Sequence, residues 1–244
     1  MCHPVPMATA PAQQPTRFLT IDVGGSGLKA AVVDRHGEML TERARVPTPA
    51  DLTADDLVDQ LDALVQPLRP FDRVAVGFPG VVKNGIVETA PNLGTGRLAG
   101  LDLASALETR LGAPTRVVND AVIQGYAAVE GTGVELVITL GTGFGAVVFN
   151  EGTPLPVFEL AHHPFRNGQT YEDQLGNRAL QEKGRKVWSR RVRKAIAELY
   201  ALFRYDRIYV GGGNAKKIRF AVNKRTIIVS NQMGVRGGPA LWKA

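Results

Sequence analysis

Apolar positions along this chain follow two different periods. Residues 17–23 (RFLTIDV) and 28–33 are short, nearly continuous apolar runs, and Gly24-Gly25-Ser26-Gly27 separates them. Such runs joined by a glycine turn predict a pair of antiparallel strands. Asp34-Arg35-His36-Gly37 predicts a second turn, into a third strand over 38–46. Over 51–68 the period lengthens: Leu57, Leu61, Leu64, Val65 and Leu68 share one helical face, with acids at the helix start. That placement suits the positive end of a helix dipole.

Further on, a buried strand is predicted over 74–78, a helix over 101–111 stopped by Gly112, and a strand over 115–118. The pattern then restarts. A helix over about 120–130 precedes strands over 135–140 and 145–149, which flank Gly141-Thr142-Gly143. Helices over 171–183 and 187–203 lead to a strand over 207–210 and then Gly211-Gly212-Gly213. The tail predicts a strand over 226–230 and a short closing helix over 239–243. Strands that alternate with helices after an opening meander imply a mixed α/β sheet. Two regions, 17–118 and 119–244, each begin strand, glycine turn, strand, and are expected to form two related lobes. A Pro/Ala-rich lead, 1–16, is expected to be disordered.

Composition narrows the function classes. Apolar residues at 44% and charged residues at 21% are ordinary for a soluble enzyme. Cys2 is the single cysteine, which excludes an intrachain disulfide and a thiolate metal cluster. The lead has neither a basic start nor an apolar core, so it does not read as a secretory signal, and no apolar stretch is long enough to span a membrane. A cytoplasmic protein is expected. From Gln181 onward there are 16 Lys and Arg against 3 Asp and Glu, within a net charge of +6. A basic C-terminal third suggests a polyanionic ligand; a solvated helix face explains it equally well.

The three glycine turns lie directly after apolar strands. Bare backbone N–H groups there can cradle phosphate oxygens, although a single such turn is more often a plain hairpin. No G-x-x-x-x-G-K-[ST] run exists, and Gly141 to Ala146 lies between two strands, so neither a P-loop nor a dinucleotide fingerprint is present. Asn119-Asp120 marks a strand-to-helix junction, where an α/β sheet places catalytic groups. A helix cap would also put these residue types there. Glu159 and His162, three apart in a Pro-bearing stretch, could face the hydroxyls of a sugar.

In chain order the sequence carries Asp22-Val-Gly-Gly-Ser-Gly-Leu-Lys29, Gly77-Phe-Pro-Gly80, Ala90-Pro-Asn-Leu93, Asn119-Asp120, Leu140-Gly-Thr-Gly143, Glu159-x-x-His162 and Gly211-Gly-Gly213. Together these resemble the ROK family (repressors, open reading frames, kinases), and most of all its polyphosphate/ATP glucokinase branch. The resemblance implies a two-lobed actin-like ATPase (ribonuclease H-like) fold with an interlobe cleft. It implies a hexose kinase, with glucose the first choice of sugar, Asp120 the general base, and ATP or inorganic polyphosphate the donor. Asn92, Asn119, Glu159, His162 and Glu172 would hold sugar hydroxyls. Gly24, Gly25, Ser26, Gly27, Lys29, Gly141, Thr142, Gly143, Gly212 and Gly213 would bind the donor phosphates, with Asp22 near Mg²⁺, directly or through water.

The family's Cys-rich zinc motif is missing, so zinc is not expected and His162 is free for sugar contact. Ala161 stands where the family's Gly usually does, which would shift His162 slightly. A homodimer is expected, and neither nucleic acid nor membrane as partner. The basic helix face over 187–203, with Lys186, Arg190, Arg193 and Lys194, would guide polyphosphate if it bordered the cleft. A silent sugar sensor and a polyphosphate-binding protein on the same fold are the alternatives.

Overall fold

The computed structural model describes residues 16–91, 93–156, 159–229 and 233–242. The expectations for the lead and for Asn92 fall outside the described residues. Strands β1 (Phe18–Gly24) and β2 (Gly27–Val33) form the opening hairpin, and β3 (Ala44–Val46) extends it. Helix α1 (Ala54–Val65) leads to β4 (Arg73–Phe78), a small hairpin β5 (Val82–Lys83) and β6 (Ile86–Val87), then helices α2 (Thr95–Leu98) and α3 (Leu103–Leu111). Strand β7 (Thr115–Asn119) completes a sheet of order β3-β2-β1-β4-β7.

Helix α4 (Asp120–Tyr126) crosses to the second half. There β8 (Val134–Leu140), β9 (Phe144–Asn150) and β10 (Thr153–Pro154) precede the hairpin β11 (Pro164–Arg166) and β12 (Gln169–Thr170). Helices α5 (Tyr171–Leu175) and α6 (Asn177–Phe203), strands β13 (Arg207–Gly211) and β14 (Thr226–Ile228), and α7 (Met233–Arg236) follow. The second sheet runs β10-β9-β8-β13-β14. In each sheet the central strand pairs antiparallel with its hairpin partner and parallel on its other side. The duplication suggested by the sequence is therefore a repeat of topology.

Alternation sets the layers. On β1, Leu19, Ile21 and Val23 join the core beneath α1 and α3, while Thr20 and Asp22 face the other way. On β8, Leu136, Ile138 and Leu140 pack with α6 around the fully buried Trp188, whose indole N–H donates to the Leu175 carbonyl at 2.8 Å. Helix α4 lies between the sheets. Its Val122 packs with Val137 and Phe149 of the second sheet, and its Ile123 packs with Ala75 of the first. A helix held on both sides fixes its first turn at the junction of the lobes.

Several predicted boundaries shift, each for a local reason. The third strand shortens to β3 because the Asp34 carboxylate accepts from the N–H groups of His36 and Glu38, which holds that stretch in a turn. Helix α1 starts at Ala54 through a capping box between Thr53 and Asp56. Helix α4 ends early; beyond it Glu135 accepts from the N–H groups of Glu130, Gly131 and Thr132. Gly184, at φ 72°, interrupts α6 near the predicted gap. On α6, Val192, Ala195, Ile196 and Leu199 are buried as expected, but Leu202 is 65% exposed.

The last described segment departs from the expected lobe division. Helix α7 and the 3-10 turn Gly238–Trp242 return to the first sheet and α4. Leu241 packs with Ala75 and Ile123, and Arg116 donates to the Leu241 carbonyl while lying over the Trp242 ring. Gly238 permits this approach: a Cβ there would meet Thr20 Oγ1 at 2.0 Å.

Candidate functional site

A cavity of about 460 Å³ opens between the two sheets. The turn between β1 and β2 supplies Gly24, Gly25, Ser26 and Gly27; the turn between β8 and β9 supplies Gly141, Thr142 and Gly143; the segment after β13 supplies Gly212 and Gly213. All three predicted glycine turns thus face one space. Ser26 Oγ and Thr142 Oγ1 are hydrogen-bonded at 2.9 Å, joining the first two turns across the cleft.

Close packing shapes the second and third turns. Gly212, at φ 87°, leaves no room for a side chain, because a Cβ would stand 2.4 Å from the Leu140 carbonyl oxygen. The Asn214 N–H donates to that carbonyl at 2.9 Å, and its side-chain amide donates to the Gly141 carbonyl at 3.1 Å and to Asn177 Oδ1 at 3.2 Å. The Asn177 N–H in turn donates to the Thr142 carbonyl at 3.1 Å. These bonds occupy carbonyls of the turn and orient it.

Asp120 stands at the first turn of α4, on the cavity wall. Helix α4 comes close to β4 because residue 77 is glycine: a Cβ there would lie 3.1 Å from Asp120 Cα. Burial pushes the Asp120 carboxyl up to about 7, and the neighbouring Asp22 charge adds to the rise. The Ala121 N–H and Lys29 oppose it. A carboxyl poised there can take a proton near neutral pH.

Asp22, 9% exposed, pairs with Lys29 Nζ at 2.7 Å; the two are cross-strand partners in the β1–β2 register. Asn119 lines the cavity and also caps α4: its Oδ1 accepts from the Ala121 N–H at 2.9 Å, and its Nδ2 donates to the Gly80 carbonyl at 3.0 Å. The capping role weighed from sequence is thus observed, at a residue that also borders the cavity.

Glu159, His162 and Glu172 line the same cavity from the second lobe. His162 Nε2 lies 3.5 Å from Glu159 Oε2, and Glu172 Oε2 accepts from the Phe144 N–H at 3.2 Å. Burial raises the Glu159 carboxyl above its ordinary value; His162 draws it back and Glu172 adds to the rise.

Sequence reasoning missed several lining residues. Asn177 and Asn214 hold the second turn, Gln124 is on α4, and Arg43 and Arg45 come from the β3 region. The two arginines had a faint signal, an alternation beside a strand that pairs with Lys29. By contrast Lys186, Arg190, Arg193 and Lys194 are exposed as expected but do not line the cavity. The lysine and arginines that line it are Lys29, Arg43 and Arg45.

Two α/β lobes of matching topology around a glycine-lined cleft define the actin-like ATPase fold. Solved structures with this fold include the inorganic polyphosphate/ATP-glucomannokinase of Arthrobacter sp. strain KM. It aligns at a TM-score of 0.83 and 31% identity, over 93% of this chain and 100% of that one. A ROK family glucokinase from Streptomyces griseus, in complex with glucose and AMPPNP, shares the fold at a TM-score of 0.78 and 20% identity. It covers 92% of this chain and 98% of that one.

The ROK family profile matches residues 18–156, and this chain belongs to the ROK family. N-acetylmannosamine kinases are similar in sequence: that of Escherichia coli (strain SE11) is 37% identical and that of Salmonella newport (strain SL254) 36% identical, each over 139 residues. Each match covers 55% of this chain and 47% of the relative, so the chain spans about half the length of these curated relatives. Among the described residues, no helix is long and apolar enough to cross a membrane.

Proposed function

We propose that this protein is a hexose kinase that transfers a phosphoryl group to the 6-hydroxyl of glucose, with Asp120 as general base. One observation carries the reading: the raised Asp120 carboxyl and all three glycine turns line a single cavity. Phosphoryl transfer needs positioning and charge stabilisation more than covalent chemistry from the protein. Turn N–H groups at Gly24–Gly27, Gly141–Gly143 and Gly212–Gly213 supply the positioning. Glu159, His162 and Glu172 offer hydrogen bonds to sugar hydroxyls, with Asn119 beside them; a buried pairing group left unsatisfied disfavours a sugar lacking that hydroxyl. In the step, the sugar oxygen bonds to the donor's terminal phosphorus, the bond to the leaving phosphate breaks, and the hydroxyl proton passes to Asp120.

A magnesium ion fits the carboxylate of Asp22, because Mg²⁺ is usually held by one or two carboxylates, several waters and donor phosphates. When bound, it would offset negative charge on those phosphates. Lys29, at 2.7 Å, holds the Asp22 carboxylate in place on the cavity wall.

For the donor, the likeness to a polyphosphate/ATP-glucomannokinase supports use of both ATP and inorganic polyphosphate. A second sugar reading, N-acetylmannosamine, is favoured by the identity with the curated kinases over 139 residues. A cytoplasmic homodimer completes the reading, and light scattering tests the dimer. The decisive experiment is a steady-state screen of glucose, mannose and N-acetylmannosamine against ATP and polyphosphate. Saturable phosphorylation of glucose is expected. No transfer to any hexose from either donor removes the kinase reading, and transfer to N-acetylmannosamine alone replaces the sugar.

A further inference from the structure

Strand β3 pairs with β2 so that Arg45 stands directly opposite Lys29. Like charges facing each other across a strand pair are unfavourable. Asp22 answers the Lys29 charge at 2.7 Å. Among the described residues no carboxylate forms an ion pair with Arg43 or Arg45, and neither side chain donates a hydrogen bond. Both nevertheless line the cavity. Arg45 also lies over the end of the first glycine turn: a Cβ on Gly27 would meet its Nε at 3.0 Å. Its guanidinium therefore lies beside Gly27, the last residue of that turn. Arg43, just before β3, lines the same cavity.

Two guanidinium groups without an ion-pair partner, lining one cavity with the glycine turns, make a receptor for a multiply charged oxyanion. A neutral sugar would gain little from them. Glu159 and Glu172, which suit hydroxyls, enter from the other lobe. Guanidinium groups bind phosphate with charge-assisted, often paired hydrogen bonds.

We propose that Arg43 and Arg45 bind the phosphate chain of the phosphoryl donor from the first lobe, in the role the sequence had suggested for the basic face of α6. The assignment rests on the kinase reading for what the cavity does, and it names the residues that would set donor affinity. Chains of phosphate reach this cleft from two sources, a nucleoside triphosphate and inorganic polyphosphate, and the same two arginines would meet either.

The test uses the full chain with Arg43→Ala, Arg45→Ala, the double variant and Arg45→Lys. Donor KM is measured separately for ATP and polyphosphate, together with sugar KM, and tripolyphosphate binding is measured by calorimetry. Each alanine variant is expected to raise the donor KM about tenfold, as loss of a charged hydrogen bond does. The sugar KM and the melting temperature should stay at wild-type values, and Arg45→Lys should recover part of the loss. The salt dependence of tripolyphosphate binding should flatten in the double variant. A KM shift with only one donor identifies that donor as the ligand. Wild-type donor KM and wild-type tripolyphosphate affinity in the double variant overturn the proposal while leaving the kinase intact. Loss of tripolyphosphate binding in the double variant, where the wild type phosphorylates no hexose, would keep the two arginines as a phosphate-chain site and remove the kinase reading.

Discussion

Ser26 and Thr142 are 116 residues apart in the chain, yet their hydroxyls meet at 2.9 Å. Each sits on the glycine turn of its own lobe, so this bond ties the equivalent turns of the two topological repeats together. Both side chains are exposed, and the bond adds little to global stability. Its effect falls on the spacing between the two glycine turns.

Breaking that bridge should weaken donor binding without unfolding the protein. Ser26→Ala and Thr142→Val are each expected to raise the donor KM several-fold. The double variant should cost about as much as either single, since residues sharing one bond are not additive. Steady-state kinetics on the four proteins measures this; fully additive losses would show that the two hydroxyls act separately.

Removing the Asp120 carboxylate should remove turnover and spare sugar binding. Asp120→Asn is expected to lower kcat by about 10²–10⁴-fold, the usual contribution of a positioned base. Sugar affinity should hold within about tenfold, because the lost interaction belongs to the transition state. Calorimetric titration with glucose separates this outcome from a general loss of the site.

The raised Asp120 carboxyl also makes two pH effects. For catalysis, kcat/KM should fall as pH drops below about 7, where the base becomes protonated. For stability, the folded state keeps the proton up to about 7, while the unfolded chain releases it near 3.8. Unfolding therefore releases a proton between these values, and this contribution to stability is full below pH 3.8 and is lost as pH rises towards 7. In Asp120→Asn that slope should vanish, leaving the variant more stable than wild type near pH 7. Denaturant melts of both proteins at pH 5 and pH 7.5 check the sign.

The C-terminal segment should behave as part of the first lobe. Leu241→Ala removes a buried side chain packed on Ala75 and Ile123, and is expected to cost about 2–4 kcal/mol. Thermal melts measure the loss. Hydrogen exchange in β1 and β4 should rise more than in β8 and β13, and the reverse order would contradict the observed packing.

Much of the architecture was legible because it is local. The apolar face of α1, the helix start at Asn119 and the run of strands follow from periodicity and capping chemistry, and the glycine turns announced themselves by composition. Exceptions were local conflicts that pattern alone does not reveal. Asp34 and Glu135 draw backbone N–H groups away from β3 and the end of α4, and Leu202 sits just past the edge of a buried face.

What the sequence determined by itself was therefore the vocabulary of the site: a carboxylate at a strand end, three glycine turns and a few polar side chains. Tertiary structure alone decided which side chains share the cleft. Register between β2 and β3 placed Arg45 opposite Lys29, Arg43 just before the strand lines the same cavity, and the basic residues of α6 stayed outside. Packing of α4 between two sheets set Asp120 beside Asp22, and Gly237 and Gly238 let the last described segment approach α4 and β1. Those contacts join residues far apart in sequence, so no local period or propensity encodes them; only the complete set of packed surfaces does.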